Sequence, residues 1–298
     1  MQHIKIVDRE TQKEEIEEIY GKIFLQFFYG KNVIAKFLLP IISKNSIASW
    51  IYGLWNKTLF STWKIKPFIR RFKINTEEFV KEVKTFTSFN DFFVRELKKE
   101  KRPIQGEKKD VIIPADGRIL VFPKINDGFY VKGQKFYLDD FLQDQNMAEK
   151  YEDGSMAILR LSPVDLHRFY FPIDCRPSKS KNINGYLFSV SPLALKKNIN
   201  ILWQNKRQLT ILQNDIFGNV LFVEIGAFNV GSINQTFIPG KYYKKGEEKG
   251  FFSLGGSSIV MIFERGKIIF SSDLLKNSKM YLETKVKLGQ ILSSKKNT

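Results

Sequence analysis

Cysteine is all but missing. Cys175 is the single one in 298 residues, which excludes a disulfide scaffold and any cysteine-built metal site. Histidine is nearly as scarce. His3 and His167 are the only two, so a histidine-rich centre is excluded and no metal is expected. No eighteen-residue window is both apolar and uncharged, so no spanning helix is predicted. The first twenty residues are charged rather than apolar and carry no signal-peptide pattern. Acidic side chains are absent from one long stretch, residues 21–74. Disorder is not expected, because 43% of the chain is hydrophobic and only 27% charged, enough to build a core.

What is present is positive charge and phenylalanine. The formal net charge is +17, and Phe occurs 27 times. Such a balance predicts an anionic partner, either a nucleic acid or an anionic membrane surface. The acid-free stretch holds ten basic residues: Lys22, Lys31, Lys36, Lys44, Lys57, Lys64, Lys66, Arg70, Arg71 and Lys73. It also holds Trp50, Trp55 and Trp63, three of the four tryptophans. Cations interleaved with Trp, Phe and Leu are the makeup of helices lying in a membrane interface. A basic helical hairpin packed on its own domain has the same composition. A nucleic-acid surface would carry fewer aromatics, spaced along a sheet or groove.

The texture changes at Pro103. Before it, Asn75 with Glu78 three residues on predicts a helix continuing through Phe79, Val83 and Phe86. A second helical piece is predicted over residues 90–97, closed by the charged run to Pro103. Beyond it, short apolar runs such as Ile119–Phe122, Ala157–Leu161, Val220–Ile225 and Ile259–Phe263 alternate with Gly, Pro, Asn and Asp. That pattern predicts strands, with one helix near Leu138 to Tyr151. The expected class is α+β. A helical, basic, membrane-surface region, 1–103, precedes a mostly-β body, 104–298.

Three positions could carry chemistry. His167, in Leu161-Ser162-Pro163-Val164-Asp165-Leu166-His167-Arg168-Phe169-Tyr170, is the only histidine of the body. It reads as a structural histidine or, with a carboxylate to fix its tautomer, as an acid/base. Asp116 in Pro114-Ala115-Asp116-Gly117-Arg118, between two expected strands, reads by itself as an Asp-Gly hairpin turn. Leu254-Gly255-Gly256-Ser257-Ser258 lies between apolar runs and reads as an ordinary turn. It also reads as a strained Gly-Ser bond open to attack by its own serine hydroxyl. Elimination from the resulting ester and hydrolysis would leave a pyruvoyl ketone, an electron sink needing no bound cofactor.

These residues together resemble the pyruvoyl-type bacterial phosphatidylserine decarboxylase proenzymes. The likeness runs from about Ser88 to Leu292. It rests on an ordered set: Ser88-Phe89-Asn90-Asp91-Phe92-Phe93-Val94-Arg95-Glu96-Leu97, Lys101-Arg102-Pro103-Ile104, Pro114-Ala115-Asp116-Gly117, and Leu161 through Arg168. Val131-Lys132-Gly133-Gln134, Gly185 through Val190, Val230-Gly231-Ser232-Ile233, Lys245 through Phe252, Gly256-Ser257-Ser258 and Lys287 through Leu292 complete it. The resemblance implies self-cleavage between Gly256 and Ser257. A β chain of residues 1–256 and an α chain of residues 257–298 would then stay associated. Ser257 would become a covalent pyruvoyl cofactor, and Asp116, His167 and Ser257 would form a catalytic relay. Phosphatidylserine would be decarboxylated to phosphatidylethanolamine through a Schiff base to that cofactor, at the cytoplasmic side of the cell membrane. A homo-oligomer is compatible, and no nucleic acid is expected as a partner. The sequence departs from the family in four places. Tyr170 stands where a second histidine is usual, which leaves His167 as the available base. Ser258 replaces a threonine, Ser191 stands where Asn is common, and Asn205-Lys206-Arg207 lacks a common acidic residue. Two other readings compete: a non-enzymatic basic protein with a plain hairpin at Gly255-Gly256-Ser257, and a decarboxylase of another phosphoserine lipid.

Overall fold

The computed structural model describes residues 4–18, 53–126, 129–131, 134–227, 232–254 and 257–296. Most of the acid-free arm, with Trp50, lies outside them, as do Gly255 and Gly256.

Among the described residues, eighteen strands make up most of the regular structure, and the fold is α+β with strands predominating. They are β1 (Lys5–Asp8), β2 (Glu14–Ile16), β3 (Asp110–Ile112), β4 (Gly117–Phe122), β5 (Phe129–Val131) and β6 (Gln134–Phe136). Next come β7 (Ser155–Leu161), β8 (Arg168–Tyr170), β9 (Arg176–Pro177), β10 (Lys181–Ile183), β11 (Arg207–Asn214) and β12 (Gly218–Gly226). The last are β13 (Ile233–Gln235), β14 (Glu248–Phe252), β15 (Ser257–Phe263), β16 (Ile268–Phe270), β17 (Glu283–Val286) and β18 (Ile291–Lys295).

A ten-stranded sheet runs β10-β11-β12-β15-β7-β4-β17-β1-β2, with β9 also on β11. β15 is central, antiparallel to β12 on one side and to β7 on the other. Both faces are covered, which is why its strands read as unbroken apolar runs rather than alternating ones. Ile259, Met261 and Phe263 pack on one side with Leu159, Leu161 and Phe222. Val260 and Ile262 pack on the other with Ile158, Leu221 and Val223. The small sheet β13-β14-β8 lies over the first side, contributing Phe169 and Phe252 to that core. Residues 4–18 add β1 and β2 to the main sheet. Glu17, just past β2, is buried against Arg118 at 2.8 Å and Arg160 at 2.6 Å. Arg160 also meets Glu283 at 2.6 Å.

The helical expectations are corrected in detail. Asn75 does cap a turn, accepting from Glu77 N at 3.1 Å, but only a single 3₁₀ turn, Thr76–Glu78, follows. Phe79 is extended and bridges to Leu97. Val80 N donates to Glu96 O at 3.0 Å, and Lys98 N to Glu78 O at 2.8 Å. That pairing displaces the continuous helix, and it stops the second one at Phe89–Phe93. Ser88 caps this helix through Asp91 N at 3.0 Å. The helix expected near residues 138–151 divides into Leu138–Leu142 and Gln145–Lys150, because Gln143 takes a left-handed φ of 47° and Asp144 caps anew. The helices Ile65–Phe72 and Phe89–Phe93 meet in an aromatic cluster of Phe68, Phe79, Phe86, Phe89, Phe92 and Phe93. Leu254, just before the Gly-Gly turn, packs into the same cluster.

Candidate active site

Ser257 opens β15 in register with Gly226 on β12 and Leu161 on β7, and it is fully buried. Its hydroxyl lies 3.3 Å from His167 Nδ1. His167, also fully buried, closes a short turn leading into β8. That turn is built by its own residues. Asp165 N donates to Ser162 O at 2.9 Å, and the Asp165 carboxylate accepts from Ser162 N at 2.7 Å. The same carboxylate oxygen, Asp165 Oδ2, is also held by Arg118.

His167 Nε2 lies 3.0 Å from the Ser162 carbonyl oxygen. A carbonyl can only accept, so Nε2 carries the proton and Nδ1 offers its lone pair to the Ser257 hydroxyl. Phe93 stacks on the ring at 4.0 Å, with planes 26° apart. Burial pushes the imidazole down to about 3. The Ser162 carbonyl opposes that shift, and the positive charge of Arg95 adds to it. The ring is therefore neutral at physiological pH.

Asp116 is placed elsewhere. Its Oδ1 accepts from Leu288 N at 2.8 Å and from Arg102 Nε at 2.9 Å, and its Oδ2 accepts from Arg102 Nη2 at 2.7 Å. The same Arg102 nitrogen reaches Glu78 at 2.9 Å. Among the described residues, the side-chain hydrogen bonds of His167 go to Ser162 and Ser257, and those of Asp116 to Arg102 and Leu288. The structure thus brings together two of the three residues expected in a relay. The orienting group on the histidine is a main-chain carbonyl rather than a carboxylate. Tyr170 follows on β8, bonded through its backbone N to Pro114 O at 2.9 Å. Its phenol is pushed up to about 12, first by burial and then by the charge of Glu248. Ser258 is fully buried, and its hydroxyl has no partner among the described residues.

Several residues of this site carried no signal of their own. Phe93 covers the histidine, and Asn90 Oδ1 accepts from Leu254 N at 3.2 Å, tying the helix Phe89–Phe93 to the approach of the Gly-Gly turn. Both stand in the Ser88-to-Leu97 motif, which was the available clue. Ser162 acts through its backbone, where residue type says nothing. A cavity of about 290 Å³ lies beside Asp116, walled by Arg95, Arg102, Leu97, Phe79 and Leu166 among others.

A family model for phosphatidylserine decarboxylase matches residues 89–293. The phosphatidylserine decarboxylase proenzyme of Chlamydia pneumoniae is 46% identical over 294 residues, covering 98% of this chain and 97% of its own. Those of Chlamydia muridarum and Chlamydia caviae are 44% and 45% identical, each covering 98% of its own length.

Proposed function

The chain belongs to the phosphatidylserine decarboxylase family and is a phosphatidylserine decarboxylase, and from that premise we propose how Ser257 and His167 mature it. The observation that carries the proposal is the 3.3 Å approach of the Ser257 hydroxyl to an unprotonated ring nitrogen. His167 Nδ1 takes the hydroxyl proton as Oγ attacks the carbonyl carbon of Gly256. The peptide C–N bond breaks as an ester forms, and the proton passes to the freed amine of residue 257. Loss of the α-proton of residue 257 then expels the Gly256 carboxylate and leaves dehydroalanine. One water enters, one ammonia leaves, and a pyruvoyl ketone remains at the head of β15.

The surroundings suit that group. Position 257 is dry, flanked by strands on both sides, and faced by a neutral histidine rather than a competing amine. The ketone supplies an electron sink for the carboxylate that departs from the substrate. His167 remains beside it to hold or deliver the proton that replaces carbon dioxide on the α-carbon. After cleavage the two chains would remain interlocked. Residues 257–298 hold β15 between β12 and β7, and β17 between β4 and β1.

The lipid is met at the surface carrying Leu59, Phe60 and Trp63, which are 70%, 81% and 67% exposed. Lys57, Lys64, Lys66, Arg70 and Arg71 lie within the same stretch. Among the described residues no helix is long and apolar enough to cross a membrane. The proposal is peripheral attachment to an anionic leaflet at the cytoplasmic side, by aromatic burial plus attraction of roughly 1 kcal/mol per cation. Flotation with phosphatidylglycerol vesicles checks this. Binding should fall partly in high salt, and F60A/W63A should weaken it at any salt.

A denaturing intact-mass measurement tests the maturation. The wild-type chain should give two fragments meeting at Gly256 and Ser257, the smaller lacking a free amino terminus. S257A should give one uncut, inactive chain. An uncut wild-type chain that still decarboxylates phosphatidylserine would overturn the reading.

A further inference from the structure

We infer, resting on the function proposed above, that Arg95 binds the phosphodiester of the lipid headgroup in the cavity beside Asp116. Most charged groups lining this cavity are matched in pairs. Arg102 holds Asp116 and Glu78, Lys285 meets Asp8 at 2.9 Å, and Lys287 meets Glu10 at 2.7 Å. Asp165 is taken by Arg118. Arg95 differs. It is 5% exposed, and no carboxylate among the described residues lies within ion-pair distance of it. Its guanidinium donates only to main-chain carbonyls: Val164 O at 2.8 Å, and Asp165 O and Phe92 O at 3.4 Å. Its Nε is buried with no hydrogen-bond partner among the described residues. The rings of Phe79 and Phe92 lie 5.2 and 5.0 Å from it. A buried cation without a counter-ion is unfavourable unless an anion completes the site. A cavity of about 290 Å³ has room for one.

The anion is the phosphate rather than the reacting carboxylate. That carboxylate must sit on the carbon bearing the condensing amine, hence at position 257, and Ser257 does not line this cavity. In phosphatidylserine the phosphate is one oxygen and one methylene removed from that carbon. Leu166, adjacent in the chain to His167, forms part of the wall. Beyond the phosphate come glycerol and acyl chains. The wall formed by Phe72, Ile74, Phe79 and Leu97 is apolar to match. Phe72 ends the helix that follows the exposed Phe60 and Trp63. The order is therefore reacting carbon, phosphate, apolar chains, then membrane surface.

A competing role for Arg95 is to clamp the turn of residues 162–167 through the Val164 carbonyl, and the experiment separates the two. Full-length wild type, R95K and R95Q are first scored for self-cleavage by intact mass. Steady-state decarboxylation of dihexanoyl phosphatidylserine is then measured, with sn-glycerol 3-phosphate and N-acetyl-L-serine as inhibitors. R95Q should raise KM about 10- to 100-fold, the range lost with a hydrogen bond to a charged group, while kcat changes far less. R95K should fall between. Glycerol 3-phosphate should compete in the wild type, with its inhibition constant rising in step in both variants. N-acetyl-L-serine should show no dependence on residue 95. If R95Q stays uncut, R95K and the two inhibitors still decide the matter. An unchanged KM with a fallen kcat would make Arg95 a clamp for His167 and sink the inference. Inhibition by N-acetyl-L-serine that tracks residue 95 would sink it as well. A wild-type chain that neither cleaves nor turns over would instead overturn the maturation chemistry, which is a separate result.

Discussion

His167 and Asp116 occupy two different kinds of interior. Around His167 the contacts are a stacked ring, one carbonyl and one hydroxyl. Around Asp116 they are a guanidinium, a backbone N–H and, through Arg102, a second carboxylate. In the first environment burial suppresses charge and leaves a lone pair facing the Ser257 hydroxyl. In the second both carboxylate oxygens are already engaged, and the group works as a knot joining residues 78, 102, 116 and 288. The difference teaches that a proton acceptor can be prepared by isolation. It also teaches that an acidic residue in a motif can serve the site by holding its walls.

The largest test of this contrast is H167A. Losing the base should slow self-cleavage by about 10²–10⁴-fold, read as the fraction of uncut chain against time by intact mass. Maturation of H167A at the wild-type rate would remove the histidine from the mechanism.

The pH dependence of stability sharpens the same point. The folded His167 titrates near 3 and the unfolded one near 6.5. Between those values the unfolded chain binds a proton that the folded chain does not, so stability rises with pH across the window. The contribution is fully present above about 6.5 and is lost as pH falls toward 3. It is on the order of 4 kcal/mol over the whole window. Urea midpoints of the S257A chain should fall on acidification, and H167N introduced into that chain should flatten the fall.

D116N probes the other interior. It should lower the melting temperature by an amount equivalent to about 1–3 kcal/mol, because Arg102 loses its closest partner. It should nonetheless cleave faster than H167A. Equal cleavage defects in the two variants would restore a shared relay and erase the contrast drawn here. The smallest effect is expected of Y170F, which keeps the backbone bond to Pro114. Its cleavage rate should stay within about threefold of wild type, since no proton transfer is assigned to the phenol. A loss as large as that of H167A would move the base to position 170.

Much of this was legible in the chain. The change of texture at Pro103, the apolar runs that became β4, β7, β12 and β15, and the isolation of Ser257 after two glycines are local patterns, and local patterns survive folding. The strands β1 and β2 were not legible, because their short charged segments fall within the region 1–103 expected to be helical. β1 becomes a strand only by adding to β17, nearly 280 residues away, and β2 by pairing with β1. The helix expected after Asn75 failed for a related reason. Its capping signal was real, but pairing of Phe79 with Leu97 outweighed a weak local propensity.

The sequence alone narrowed which atoms are proposed to react, since the body has one histidine and one Gly-Gly-Ser-Ser segment between apolar runs. Only the tertiary structure decided how they are held. The Ser162 carbonyl sets the tautomer, Phe93 dries the ring, and Asp116 is spent on Arg102. The physical reason is that the propensities and periodicity legible in a chain act over a few residues. The contacts that tune a buried proton acceptor join residues as far apart as 167 and 257, and backbone oxygens among them leave no trace in residue type.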